Sequence, residues 1–521
     1  MPKENSKTIL KHAAAVGIVI AVTVAAFWPV LHNGFLNYDD AVYFLGNPSY
    51  RGLGWANLTW MWTTRCYGAY QPLSWMTLGL DYLIWGMNPF GYHLANLIFH
   101  ALNAALFYVL TLRLLKAARP EARGSETLLA AACAFAALIF SVHPLRVESV
   151  AWASERRDVL SGTFYLAALL SYLEAARPRA SRVRWLGAAL ACFFLSLSAK
   201  GVVVTLPLAL LLLDVYPLKR LPGEPAKWAA PEFRPVWLEK IPFFILAAIF
   251  GAVGLAGLRQ AGAMNSWARQ GLAERLAQSA YGLVFYLGKT IFPAHLLPLY
   301  PIPIRFNPLG AAYLLSAAVV LIISGVLFKA RRRRPELLAA WVYYAITLFP
   351  MLGLVVSFRT YFTADRYSYL SCMGWAVLAG AGALFLLKRL DGWARRMTAA
   401  ALGALVAALA CLTWGQAKVW RSPQSLWSYA VAQDPDNVLA LSNLGAILEQ
   451  KGKFAQAVAL YRQALALNPG IADIYANLGV AYQNEGDLPQ AVSAYRQAIA
   501  LGDKSPVIRA NLALALSREK R

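Results

Sequence analysis

Apolar residues fall in long, nearly unbroken runs along most of this chain, separated by short polar stretches. The runs cover residues 13–31, 94–114, 128–142, 159–173, 186–198, 201–215, 241–258, 309–328, 337–356, 369–387 and 398–414. A bilayer-spanning helix needs about 20 such residues, so the pattern predicts an all-α, polytopic transmembrane bundle of about eleven spans. The run 13–31 follows a basic start and shows no convincing cleavage site before Asn33, so a retained first helix is expected rather than a removed signal. Basic residues cluster in alternate loops: Arg113 to Arg123, Arg177 to Arg184, Lys219 to Lys240, Lys329 to Arg334, and Lys388 to Arg396. The positive-inside rule assigns all five to the cytoplasmic side together with the N-terminus. A shorter run, 280–292, ends at Pro293. A full crossing there would move Arg331–Arg334 outside, so a re-entrant or interfacial segment is expected. Loops 32–93, 143–158, 258–308 and 357–368 then face outward, as does everything after 414.

From about residue 434 the pattern changes to one that repeats every 34 residues. Leu444, Gly445, Gly452, Ala457, Tyr461, Arg462 and Ala464 return as Leu478, Gly479, Gly486, Ala491, Tyr495, Arg496 and Ala498. This is the tetratricopeptide (TPR) period, a helix–turn–helix unit with small residues where its two helices meet. Trp427, Ala430 and Pro435 before it, and Asn511 and Leu512 after it, form half-repeats.

Composition agrees with the pattern. Of 521 residues 59% are hydrophobic and 14% charged, against about 25% charged in soluble domains. The net charge of +23 sits in short clusters between apolar runs, so it reads as topology and not as a nucleic-acid surface. The five cysteines have neither zinc-ligand nor CxxC spacing.

Candidate chemistry gathers in the outward loops. Tyr38-Asp39-Asp40 follows the first run directly. Adjacent carboxylates raise one another's proton affinity; the pair can accept a proton, hold a divalent cation such as Mg or Mn, or merely cap a turn. The second loop carries His143, Arg146 and Glu148, then Glu155-Arg156-Arg157-Asp158. Arginines oriented by carboxylates suit a phosphate near the bilayer surface, and a salt-bridge cluster of small energetic weight is the alternative. Lys200 is an outward lysine in a tight turn, against the positive-inside trend, and Arg359 precedes Asp365-Arg366-Tyr367 in the fourth loop. His93, Asn96 and His100 share one helix face, where interhelical hydrogen bonds compete with metal ligation as explanations. Trp55, Trp60, Trp62, Tyr67, Tyr70 and Trp75 either line a sugar cavity or form an interfacial aromatic belt.

Tyr38-Asp39-Asp40, Tyr70-Gln71-Pro72-Leu73, Asn88-Pro89-Phe90-Gly91-Tyr92-His93-Leu94-Ala95-Asn96 and His143-Pro144…Glu148…Arg156-Arg157-Asp158, followed by TPRs, occur here in that order. This series resembles the transmembrane and TPR-containing O-mannosyltransferases, relatives of the GT-C-fold protein O-mannosyltransferases. The resemblance implies a polyprenyl-phosphate sugar donor, a protein hydroxyl acceptor and chemistry on the non-cytoplasmic face. It makes Asp39 or Asp40 the catalytic carboxylate. Arg156, Arg157, Lys200 and Arg366 then bind the donor phosphate, with His93, His143, Glu148 and Asp158 in support; Lys289 and His295 would shape a lipid groove. Two departures stand out: Lys200 is followed by Gly201 where the family has glutamate, and the TPR array is much shorter than in animal members. The short form suggests a bacterial member in the cytoplasmic (inner) membrane, with outward meaning periplasmic. The expected division is a membrane transferase domain at 1–415, a linker and half-repeat at 416–433, and TPRs at 434–521. Two other functions fit the same outline: a GT-C transferase acting on a lipid or polysaccharide, and a non-catalytic TPR membrane scaffold.

Overall fold

A computed structural model describes residues 2–118, 125–178, 180–302, 306–358 and 361–519. Arg359 and the end of the Arg113–Arg123 cluster lie outside them. The chain divides into two compact units, one of residues 1–299 with 306–418 and one of residues 300–305 with 419–521.

The first unit is a bundle of helices. A central group packs Pro89–Ala118 against Glu126–Ser141 and Arg156–Ala175, and the latter pairs with Arg182–Ala199. The first helix, Pro2–Phe27, and Met373–Arg389 cover the Glu126–Ser141 helix. Small residues set how closely these approach: a Cβ added at Gly380 would lie 2.8 Å from the Ala136 Cβ. A peripheral pair, Leu272–Ile291 and Ala311–Ala330, packs side by side.

Helical structure covers every apolar run. Six described helices are long and apolar enough to cross a bilayer, or up to eight spans if two bent pairs are included. The expectation of eleven counted three further runs that fold differently. Residues 201–215 break into a 3-10 turn, Gly201–Thr205, and a ten-residue helix, Leu206–Val215. The 337–356 run leaves its α-helix at Leu348, and the helix over 159–173 is diluted by Ser161, Thr163 and Ser171. The short run 280–292 is the second half of one continuous helix, Leu272–Ile291, with no reversal inside it, so of the two expected forms the re-entrant one is not found. Arg275, Gln278, Gly282 and Tyr286 form its buried stripe while Leu272, Leu276 and Ile291 are exposed. Polar residues on that stripe hid its first half from a search for apolar runs.

Ion pairs and polar contacts in this unit sort into two groups. One joins the loops expected to face outward, through Asp40 to Ser154, Glu148 to Arg366, Glu155 to Lys200 and Asn265 to Ser357. The other joins the basic loops, through His12 and Lys116 to Glu126, Arg113 to Glu174, and Arg220 to Asp214 and Glu239.

Among its described residues the second unit contains six helices: Pro423–Gln433, Val438–Gln450, Phe454–Leu467, Ala472–Glu485, Leu488–Ala500 and Pro506–Glu519. The repeat is carried by identical contacts. Gly445 faces the ring of Tyr461, whose hydroxyl donates to Glu449 at 3.1 Å; one repeat later Gly479 faces Tyr495, which donates to Gln483 at 3.0 Å. A Cβ at Gly445 or Gly479 would come 2.7 or 2.5 Å from that ring, so only glycine lets the paired helices close.

Candidate functional site

The two adjacent aspartates have opposite surroundings. Asp40 is fully buried. Its Oδ2 accepts from the Leu36 amide at 2.9 Å, and its Oδ1 accepts from the Ser154 amide at 3.1 Å and from the Ser154 hydroxyl. It thereby ties the segment after the first helix to the turn Ala153–Glu155. Burial pushes its carboxyl up to about 7, against the opposing pull of these donors. Asp39 keeps part of its surface. Burial raises its proton affinity too, and the nearby charges of Arg157 and Arg366 pull it back. Beside it Tyr38 stacks on Trp152, with ring centroids 5.0 Å apart.

The cations divide in the same way. Arg156 is fully buried and points away from this group, donating to Asp81 at 2.6 Å, to the Tyr92 carbonyl at 2.8 Å and to Asn96. Arg157, Lys200 and Arg366 converge instead on Glu155. Arg157 forks onto it at 2.5 and 3.1 Å, Lys200 reaches it at 3.0 Å, and Arg366 at 3.3 Å. Lys200 also donates to Asp158 at 2.6 Å, and Arg366 pairs with Glu148 through its guanidinium and, at 2.7 Å, its backbone amide. The Arg366 guanidinium lies against the faces of Trp152 and Tyr367, 5.5 and 5.0 Å from their centroids. A small pocket of about 20 Å³ opens between Lys200 and Arg366, with the side chains of Ser161, Thr205, Thr347 and Tyr367 on its walls.

The structure thus brings Asp39, Glu148, Arg157, Asp158, Lys200 and Arg366 together and leaves three expected residues in packing positions. Arg156 bridges helices. His143 caps a turn: its Nδ1 accepts from the Leu145 amide at 3.2 Å, so Nε2 donates to the Thr290 carbonyl at 3.0 Å. His93 is buried next to Arg156. On the same helix face Asn96 donates to the Val150 and Trp152 carbonyls, and His100 contacts Tyr369 and the Ser141 carbonyl, which is interhelical bonding. Lys289 donates to the carbonyls of Ala294 and His295. Both Asp40 oxygens accept from N–H and O–H donors, which fixes that carboxylate toward the Ala153–Glu155 turn. Among the described residues no three His, Cys, Asp or Glu side chains converge as metal ligands. Two residues here were not singled out from sequence: Glu155, the hub of the cations, and Ser154, which captures Asp40. Glu155 stood in view within its charged run, but two of its three partners come from distant loops.

Family models match in the tail, a TPR repeat over residues 447–486 and a tetratricopeptide repeat over 472–501. The chain is similar to the protein O-mannosyl-transferase Tmtc3 of Drosophila melanogaster, 26% identical over 460 residues, covering 77% of this chain and 48% of that protein. It is 32% identical over 193 residues to the protein O-mannosyl-transferase TMTC3 of Mus musculus, covering 35% and 19%. Its homologues are O-mannosyl-transferases. The matches span at most about half the length of these relatives. Among solved structures, ArnT from Cupriavidus metallidurans bound to undecaprenyl phosphate aligns over 92% of this chain and 79% of its own, at 15% identity. Its TM-score of 0.38 marks a distant likeness in which no residue is carried across.

Proposed function

We propose that this chain is a membrane glycosyltransferase that moves mannose or a similar hexose from a polyprenyl phosphate to a Ser or Thr hydroxyl of a protein. The observation that carries the reading is the contrast within the aspartate pair: Asp39 retains exposed surface beside Arg157 and Arg366, while Asp40 is buried and bonded. The homology to O-mannosyl-transferases supports the reaction class.

In this reading Asp39 accepts the proton of the acceptor hydroxyl as its oxygen attacks the anomeric carbon. The bond from that carbon to the phosphate oxygen breaks, and its electron pair leaves with the polyprenyl phosphate. A single displacement inverts the anomeric centre. Arg157, Lys200 and Arg366 stabilise the charge growing on the departing phosphate. The reaction occurs on the periplasmic face of the inner membrane, where the loops carrying Asp39 and Arg366 are expected from the basic clusters. The TPR unit recruits the acceptor polypeptide, as helical repeats offer extended concave surfaces.

The experiment is sugar transfer by detergent-purified protein, offered a panel of polyprenyl-phosphate sugars with periplasmic extract as acceptor. Asp39→Asn is expected to melt like the wild type and lose more than about a hundredfold in rate. Asp40→Asn is expected to lose melting stability first, because it leaves a buried donor unmatched. Full transfer by a folded Asp39→Asn variant would overturn the assignment of the base. Labelling of lipid alone would remove the protein acceptor.

A further inference from the structure

Glu155 ends the short turn Ala153–Glu155, and its side chain is wholly buried. Each of its neighbours Glu148 and Asp158 pairs with one cation of the cluster, Arg366 and Lys200 respectively. Glu155 touches all three: Arg157 at 2.5 Å, Lys200 at 3.0 Å and Arg366 at 3.3 Å. These are the groups assigned above to the donor phosphate, so the inference rests on that reading.

Charge bookkeeping makes the arrangement informative. Three cations face three carboxylates within salt-bridge distance, and Asp39 adds its negative field to Arg157 and Arg366. Burial pushes the Glu148 and Asp158 carboxyls up to about 7, whereas the three cations hold Glu155 well below the ordinary carboxylate range, so Glu155 is the acid that stays ionised among them. A site that only had to capture an anion has no use for an ionised carboxylate at its centre. A carboxylate about 5 Å from a unit negative charge on a bound phosphate weakens its binding by roughly 200- to 300-fold at an effective dielectric of 20. Glu148 and Asp158 also accept from uncharged donors, the Arg366 amide at 2.7 Å and the Ser149 hydroxyl at 3.1 Å, which hold them in place when a cation shifts. Glu155 is the carboxylate whose contacts gather the three cations at one point.

We propose that Glu155 is a built-in competitor of the donor phosphate, a positioning residue that holds Arg157, Lys200 and Arg366 together in the empty site. When the phosphate arrives it shares these cations with Glu155. After transfer, the carboxylate reclaims them and drives the polyprenyl phosphate out. The site thereby gives up ground-state affinity for turnover, since an anion held too tightly after the reaction slows its own release.

The test measures binding of a sugar-free polyprenyl phosphate to the full-length protein in detergent, together with steady-state kcat. Wild type is compared with Glu155→Gln and Glu155→Ser, which remove the charge, and Glu155→Asp, which keeps it. Both neutral variants are expected to bind the lipid phosphate at least tenfold more tightly, with kcat lowered and a first-turnover burst retained. Glu155→Asp is expected within about threefold of wild-type affinity. Unchanged or weaker binding by a folded neutral variant overturns the proposal, because that is what loosening a scaffold gives. Failure of both neutral variants to fold marks Glu155 as structural and overturns it too. If wild type neither binds the lipid phosphate nor transfers sugar, the transferase reading itself falls and this inference with it.

Discussion

Asp39 and Asp40 share a sequence motif, yet their side chains meet different neighbours. A base at position 39 works only when ionised, and burial lifts its proton affinity above that of an ordinary carboxylate. Transfer should therefore fall as pH drops through that raised value. The limb of the pH–rate profile should move to higher pH in Arg157→Gln, which removes the cation that lowers it most. Asp40 acts on stability. Its carboxyl titrates near 7 in the folded chain, above its unfolded value, so its contribution is fully present below about pH 4 and lost as pH rises through 7. The melting temperature of wild type relative to Asp40→Asn should accordingly fall between pH 5 and 8; parallel curves would refute the assignment. The motif itself was plain in the sequence. The difference between its members was not, because it comes from Ser154, 114 residues away.

Single helices show where sequence reading succeeds and where it stops. Apolar runs marked the helices of the bundle, since burial in lipid requires continuous apolar length. They did not mark where a helix breaks, as at Gly201–Thr205, or where a helix turns a polar stripe inward, as at Arg275 and Gln278. Arg156 illustrates the same limit for charge. It stands beside Arg157 in sequence, but one residue is 100° around a helix, and the two serve different neighbours. Arg156 joins three elements through Asp81, Asn96 and the Tyr92 carbonyl. Arg156→Met should cost about 3–5 kcal/mol of stability by stranding buried Asp81. Adding Asp81→Asn should restore much of that loss. The readout is melting in detergent, and equal stability of the single and double variants would count against the bridge.

At the scale of the whole molecule, two signals written in the sequence carry through to the fold. The 34-residue period became paired helices closed over Gly445 and Gly479, and several basic loops are joined by ion pairs of their own, separate from the cluster around Glu155. The proposed orientation puts the two groups on opposite sides of the membrane. In a background without native cysteines, Thr63→Cys should react with a membrane-impermeant maleimide in intact cells. Lys227→Cys, in a basic loop, should react only after permeabilisation. The reverse labelling pattern would invert the orientation proposed here. What sequence left unread at this scale was the meeting of distant loops, which no local pattern encodes.

Glu148 and Arg366 are 218 residues apart in the chain, and their pairing bears on how the protein is made. While a ribosome is still short of Arg366, the carboxylates of Glu148 and Glu155 have been inserted without one of their counter-charges. A half-made chain carries Glu148 without its ion-pair partner, while Glu155 and Asp158 already have Arg157 and Lys200. In the proposed reading, a product truncated before Arg366 lacks one of the three cations for the donor phosphate and buries an unpaired acid.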